Sequence, residues 1–111
     1  MPTRSEAVKG LIRGALVQRE WEADATVAGA LVLVYDHHRR ELVQRLMDVQ
    51  HDFAELVVST QHVHLDHDNC LEVVTLRGKA DDIRQLDARI KALKGFKDNA
   101  LVMTTTGAGI T

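Results

Sequence analysis

The sequence has a single cysteine, no apolar run long enough to cross a membrane, and little net charge. Cys70 cannot form a disulfide within the chain, so its thiol is buried, nucleophilic or metal-binding. The longest apolar run, residues 27–35, falls far short of the roughly 20 residues that a membrane-spanning helix needs, and no signal sequence opens the chain. The net charge of −2, with both signs mixed, indicates no general affinity for polyanions. We therefore expect a soluble cytoplasmic protein without membrane contact.

The apolar patterns predict one helix followed by a single mixed domain. Thr3 and Glu6 fit a capping box at the start of an amphipathic helix with Val8, Leu11, Ile12, Ala15 and Leu16 on one side. Strands are predicted at residues 27–35, 55–66, 71–77 and 99–106. A second helix is predicted after Asp36, its N-cap, with an inward-facing stripe of Leu42, Val43, Leu46 and Met47. A third helix is predicted from the spacing of Ile83, Leu86, Ile90 and Leu93, and Gly95 is its expected C-cap. The order β-α-β-β-α-β predicts an α+β, ferredoxin-like domain over residues 26–106, between a helical segment (1–22) and a flexible tail (107–111).

One face of this sheet needs a cover from outside the domain, because two helices can cover only the other. In the first strand, Ala28, Ala30, Val32 and Val34 alternate with Val27, Leu31, Leu33 and Tyr35, so both faces are apolar. A second copy of the same sheet is the simplest cover. We therefore expect an oligomer.

Three possible metal ligands share one predicted hairpin. His62 and His64 are two residues apart on a strand, so they point to the same face. Cys70 joins that face if it lies opposite His64, which also places Glu72 opposite His62 and requires an odd-numbered turn. We expect Asn69 to adopt the left-handed conformation in that turn.

His51 stands apart from this group. Residues 55–62, if extended, span about 23 Å and carry His51 away from His62 within one chain. We therefore expect it to complete the site of a neighbouring subunit. The resulting set of three imidazoles and one thiolate suits tetrahedral Zn²⁺ or tetragonal Cu²⁺ or Ni²⁺. Taken singly, these histidines are more often surface residues and a lone cysteine a small buried side chain.

The segments QHDF and STQHVHLDHDNCLEVVTLRG resemble the metal-binding domain of the nickel-responsive regulator family, NikR. In that family a strand of the form HxHxxxxxC supplies three nickel ligands, and a QH at the end of the preceding helix supplies the fourth from the neighbouring subunit. The resemblance implies that each chain binds one Ni²⁺ through His62, His64, Cys70 and the His51 of a neighbouring subunit. It further implies that the site lies at a subunit interface of a homotetramer, which is a dimer of dimers built from ACT-type domains. It also implies a repressor of nickel uptake genes, and therefore no enzymatic activity.

The resemblance has consequences for DNA binding. RSEAVKGLIRGAL is similar to the second helix of the family's ribbon-helix-helix domain, so the strand and first helix expected before it are absent. We accordingly expect this chain to bind metal but not to recognise an operator. Arg39 and Arg40 match a basic pair that contacts the DNA backbone in the family, although they equally suit a solvated helix turn.

Other polar residues have supporting roles in this interpretation. Glu72 and Gln50 could orient the ligand imidazoles through their second ring nitrogens. His37, His38 and His67 are expected to face solvent, the last of them in the hairpin turn.

Two other functions fit the same residues. One is a catalytic or storage metal protein, in which His62, His64 and Cys70 leave one position open to water. That alternative lacks a general base and gives His51 no role. The other is an effector-binding oligomerisation module of ACT type that uses no metal.

Overall fold

The computed structural model describes residues 3–110, so Met1, Pro2 and Thr111 of the predicted terminal segments lie outside it. The elements follow the predicted order: α1 (Arg4–Glu22), β1 (Thr26–Asp36), α2 (Arg40–Asp52), β2 (Val57–His64), β3 (Asn69–Lys79), α3 (Ala80–Lys91) and β4 (Asp98–Thr104). The four strands form one sheet in the order β2-β3-β1-β4, and every neighbouring pair is antiparallel. The ferredoxin-like fold is confirmed, preceded by one helix. In the described range no helix is long and apolar enough to span a membrane.

The core lies between the sheet and helices α2 and α3. Val27, Leu31, Leu33 and Tyr35 of β1 are buried on this face, whereas the alternate residues of β1 are only half-buried. The helices contribute the other main group of buried apolar side chains: Leu42, Leu46, Val49, Ile83, Leu86 and Ile90. The second face of the sheet carries Val32, Val34 and the exposed Val63 and Val102. Nothing in the described chain covers it, as the alternation in β1 predicted.

Helix α1 touches the domain mainly through its last turns. The capping box predicted at Thr3 and Glu6 is present, with both reciprocal hydrogen bonds. Trp21 is buried, and its indole N–H donates to the carbonyl of Thr104 at 2.9 Å. The apolar side of the helix, by contrast, remains exposed, with Leu11 at 76%. The helix is thus confirmed, but its apolar side has no partner within the described residues.

The predicted start of α2 is wrong. Asp36 is the last residue of β1, and its carboxylate accepts from the backbone N–H of His38 at 2.9 Å in the connecting turn. The helix begins at Arg40, and its N-cap, Arg39, makes no side-chain capping bond. The inward stripe is Leu42, Leu46 and Val49, spaced at i, i+4 and i+7. Met47 lies off this stripe and is 59% exposed, so its predicted burial is also wrong.

Other element ends differ from the predicted ones at two glycines. Gly78 does not end its strand: β3 continues to Lys79, and a Cβ at Gly78 would come within 2.5 Å of Leu56 Cδ2. Gly95 has a φ of +113°, but α3 ends earlier, with Ala92 as its C-cap. At Gly95 a Cβ would meet Arg39 Nη1 at 2.8 Å, so the position suits glycine in both conformation and space.

Candidate metal centre

The hairpin has the predicted register. His62 pairs with Glu72 and His64 with Cys70, and five residues, 65–69, separate His64 from Cys70 along the chain. The rings of His62 and His64 lie on one face, with centroids 5.3 Å apart. The strand itself is shorter than predicted: β2 begins at Val57, and a bulge interrupts its pairing between Val57 and Ser59. The register therefore brings two imidazoles and the thiol-bearing residue to one end of the hairpin.

The hairpin turn is held by the side chain of Asp66. Its carboxylate accepts from the backbone N–H groups of Asp68 at 2.9 Å and Asn69 at 2.8 Å, and from the Asn69 amide. These hydrogen bonds lower the pKa of Asp66, and the bond from the Asn69 side chain contributes most. The left-handed conformation predicted for Asn69 is wrong, since Asp24 is the one non-glycine residue with positive φ in residues 3–110. Asn69 instead pairs with Asp36 as the first residue of β3.

Cys70 is fully buried and faces the same side of the sheet as His64. Its thiol donates to the carbonyl of Tyr35 at 3.5 Å. Burial raises the pKa of this thiol, and the negative charges of Glu72 and Asp36 add to the effect. A metal ion bound here must therefore displace a proton that the protein otherwise retains.

The candidate ligands of the hairpin lie on the face of the sheet that the helices pack against. His64 and His62 pair with Cys70 and Glu72, which pair in turn with the buried Tyr35 and Leu33. The two histidines are nevertheless exposed, because β2 is an edge strand. A donor from another subunit would consequently approach this edge from the helix side rather than from the open apolar face.

Glu72 is the centre of a polar network beside His62. Its two carboxylate oxygens accept from the Tyr35 hydroxyl at 2.9 Å and from Gln50 Nε2 at 2.7 Å. Within the described residues, the Glu72 carboxylate is thus hydrogen-bonded to Gln50 and Tyr35 rather than to an imidazole. Tyr35 was not predicted to take part in the site, but its ring stacks on His62 with centroids 6.3 Å apart. Burial first, and then the Glu72 hydrogen bond, raise the pKa of Tyr35 far above its usual range. The available signal was a tyrosine at a buried strand position, which needs a partner for its hydroxyl.

His51 is exposed in the last turn of α2 and belongs to no group of ligand atoms in the described chain. It lines an open surface cavity of about 360 Å³ together with Phe53 and Asp82. The length of β2 is a poor measure of its distance from His62, because α2 lies back over the sheet. Gln50, the residue before His51, reaches Glu72, the strand partner of His62. The end of α2 therefore lies nearer the hairpin than the strand length suggests.

A different group of side chains with possible metal-ligating atoms lies close together. In residues 3–110, the three side chains of His38, His67 and Asp68 have donor atoms within 4.8 Å of one another. His38 and His67 are exposed, as predicted, whereas His37 is half-buried. Hydrogen bonding to Asp68 raises the pKa of His67, and the same contact lowers that of Asp68. The sequence pattern predicts solvent exposure for both histidines but gives no sign that they meet.

Arg39 and Arg40 are exposed at the start of α2. With Arg45 and Lys94 they line a shallow surface cavity of about 350 Å³, and Arg45 forms an ion pair with Glu41 one turn along the helix. The cavity thus gathers four cationic side chains, one of them neutralised locally. Such a surface suits phosphate oxygens.

Comparison with known proteins shows the family of this chain. The family model described as "NikR C terminal nickel binding domain" matches residues 28–104. The chain belongs to the NikR family. Among its relatives, a protein of Nitratidesulfovibrio vulgaris (strain DSM 19637 / Miyazaki F) is 51% identical over 110 residues, which cover 98% of this chain and 79% of that protein. One from Chlorobium phaeobacteroides is 50% identical over 92% of this chain and 76% of its own length. Both are described as "Putative nickel-responsive regulator".

A solved structure supports the fold alone. An uncharacterized protein from Thermotoga maritima superposes with a TM-score of 0.63 at 15% sequence identity. The match covers 70% of this chain and 96% of the other. The NikR domain of this chain is therefore a ferredoxin-like unit shared with a protein of very different sequence.

Proposed function

We propose that this NikR-family chain binds Ni²⁺ through His62, His64 and Cys70, and that His51 of a second subunit completes the site. The observation that carries the proposal is the hairpin register, which sets both histidines and the cysteine on one face at one end of β2 and β3. The donors fit such an ion: two neighbouring imidazoles and a thiol are the nitrogen and sulfur ligands that Ni²⁺ accepts. Bound nickel would supply a charge centre that ties the two subunits together.

This chain's own residues prepare the site. The Asp66 turn fixes the register, so that His64 and Cys70 stay opposite each other. Tyr35 and Gln50 hold the carboxylate of Glu72 in place beside His62. Cys70 is kept from solvent, and this burial raises the pKa of its thiol, so a bound cation would replace the proton that the thiol otherwise holds.

The proposed output is regulation of transcription. An ion that binds only the assembled form stabilises that form by about 2.7 kcal/mol when free metal is a hundred times the Kd. Metal concentration then sets the population of one subunit arrangement. We propose a homotetramer in which copies also pack through the open sheet face, because Val63 and Val102 lie exposed there.

We further propose that α1 belongs to a DNA-binding part of the regulator and that Arg39 and Arg40 contact phosphates. Support comes from the uncovered apolar side of α1 and from the cationic cavity at the start of α2. Phosphate contacts of this kind position a protein on DNA without reading its sequence.

Mixing two defective variants tests the shared site. His51→Ala lacks the donated ligand and should bind nickel weakly, whereas Cys70→Ser lacks the thiolate. At a free nickel concentration that just fills the wild-type sites, neither variant alone should therefore show the absorption band of a nickel thiolate. After subunit exchange, half of the pairs are mixed and each mixed pair holds one intact site of two, so about one quarter of the wild-type band should return.

A matched mixture supplies the control. His62→Ala and Cys70→Ser alter the same hairpin, so no pairing of these two variants can assemble an intact site. This mixture should stay without the band. If the first mixture also fails to recover, while mass spectrometry shows that subunits have exchanged, His51 does not act across the interface.

A further inference from the structure

The junction between α1 and β1, residues 21–25, is fixed to two other elements of the domain. Trp21 is 1% exposed, and its indole N–H donates to the carbonyl of Thr104, at the end of β4, at 2.9 Å. Its ring lies over β1, because a Cβ added at Gly29 would come within 3.7 Å of Trp21 Cη2. The last turn of α1 is thereby anchored in the sheet.

Arg84 of α3 contacts the same tryptophan in two ways. Its Nη1 donates to the Trp21 carbonyl at 3.0 Å, and its guanidinium carbon lies 5.4 Å from the centre of the indole ring. A guanidinium at this distance over a tryptophan gains a cation–π attraction. The carbonyl belongs to the last turn of α1, where a helix leaves acceptors without helical partners. Arg84 therefore joins the C-terminal end of α1 to α3.

Asp24 joins the following residues of the junction to α3 as well. Its φ is +54°, a conformation that aspartate and asparagine adopt more readily than most residues. Its Oδ1 accepts from the backbone N–H of Asp81, in the first turn of α3, at 2.9 Å. The carbonyl of Ala25 accepts from the N–H of Ala80 at 3.0 Å. These N–H groups have no partner inside the helix, so the junction supplies the cap that the sequence around α3 lacks.

We propose that Trp21, Asp24 and Arg84 form a latch that holds α1 in one orientation on the sheet domain. Helix α1 turns relative to the sheet only when these contacts open, because all three close the same short junction. The latch presents the proposed DNA-binding part of the regulator at a set angle rather than on a free linker. Neither the proposed metal ligands nor DNA takes part in it, so this proposal and the proposed function can fail separately.

Hydrogen exchange of the Trp21 indole N–H in the metal-free full chain measures opening of the latch. Trp21 is the one tryptophan of the sequence, so its indole signal in the NMR spectrum is unambiguous. Asp24→Ala removes the bond to α3 and places alanine at positive φ, so it should raise the opening equilibrium by on the order of tenfold. Asp24→Asn keeps both the acceptor and the tolerance of this φ, and should stay within about twofold of wild type. The backbone N–H groups of the buried Leu31 and Leu33 should exchange more slowly than the indole in every variant, which shows that the opening is local.

Two arginines on α3 provide a matched pair of variants. Arg84→Met keeps an aliphatic contact with the indole ring and loses the bond to the Trp21 carbonyl, so it should raise the opening equilibrium severalfold. Arg89→Met removes a similar guanidinium, which lies 5.6 Å from the centre of the Phe53 ring and pairs with Asp52 at 3.0 Å. This second variant should leave the exchange of the indole unchanged.

A distance measurement tests the orientation of α1 itself. Nitroxide labels at Ala7→Cys and Asp98→Cys, in Cys70→Ser chains diluted with unlabelled chains, report the separation of α1 and β4 by electron spin resonance. A narrow distribution that Asp24→Ala broadens supports the latch. A distribution that is already broad with Asp24 in place, or that Asp24→Ala leaves unchanged, overturns it. Exchange of the Trp21 indole at the wild-type rate in the alanine and methionine variants of the latch overturns it equally.

Discussion

Replacing Tyr35 with phenylalanine removes one oxygen from the hydrogen-bond network beside the proposed metal ligands and leaves the packing intact. The ring is buried, stacked on His62 and edge-on to Phe96 at 5.8 Å. Phenylalanine keeps these contacts, so no cavity forms. What is lost is the 2.9 Å hydrogen bond to Glu72, whose carboxylate keeps only Gln50.

The magnitude follows from that single bond. A hydrogen bond to a charged group contributes about 1.5–3 kcal/mol net when buried. Glu72 is half-buried and retains its second donor, so we expect Tyr35→Phe to lower the free energy of unfolding by about 1–2 kcal/mol. With a urea m-value of about 2 kcal/mol/M, in the middle of the usual range, the unfolding midpoint should fall by roughly 0.5–1 M at unchanged slope.

The assay is urea unfolding of the metal-free protein at one fixed chain concentration, because oligomerisation makes stability concentration-dependent. Glu72→Gln and the double variant complete a double-mutant cycle with Tyr35→Phe. We expect a coupling of about 1 kcal/mol between the two positions. A coupling near zero, or wild-type stability for Tyr35→Phe, would refute the role given to this hydroxyl.

Three other predictions concern metal, assembly and DNA. Because a thiolate and neutral imidazoles are the forms that bind a metal, protons compete with Ni²⁺ for these groups. Calorimetric titration with Ni²⁺ in buffers of different ionisation enthalpy should show proton release, and the affinity for Ni²⁺ should fall below about pH 6. Val102→Asp should dissociate the oligomer in sedimentation velocity, whereas Met47→Asp on α2 should not. Arg39→Ala/Arg40→Ala should make the slope of log K for duplex DNA against log salt concentration shallower by an amount that corresponds to about two phosphate contacts. The slope is measured by fluorescence anisotropy. An unchanged slope would contradict phosphate contact.

The parts of the fold that were predictable are those governed by local pattern. The capping box at Thr3 and Glu6, the alternation of β1 and the stripe of α3 each depend on neighbours within a few residues. The hairpin register was predictable because strand geometry leaves few ways to place His62, His64 and Cys70 on one face.

The wrong predictions arose where tertiary contacts replaced a local preference. Asp36 suits a helix cap, but pairing with Asn69 extends β1 through it and moves the helix start to Arg40. Asn69 tolerates the left-handed conformation, but the Asp66 carboxylate closes the turn without it. In each case a polar side chain found a partner that its sequence neighbours do not reveal.

The same reasoning explains why the group around Asp68 could not be found from the sequence. His38 and His67 are 29 positions apart, in segments whose local patterns predict only solvated loops. They meet because β1 and β3 pair to their ends, with Asp36 opposite Asn69, so the loop that leaves β1 crosses the turn that enters β3. A slip of this pairing by one residue would move His64 and Cys70 apart from Tyr35 and also separate His38 from Asp68. The hairpin ligands proposed for nickel and the group around Asp68 therefore both depend on the strand register between β1 and β3.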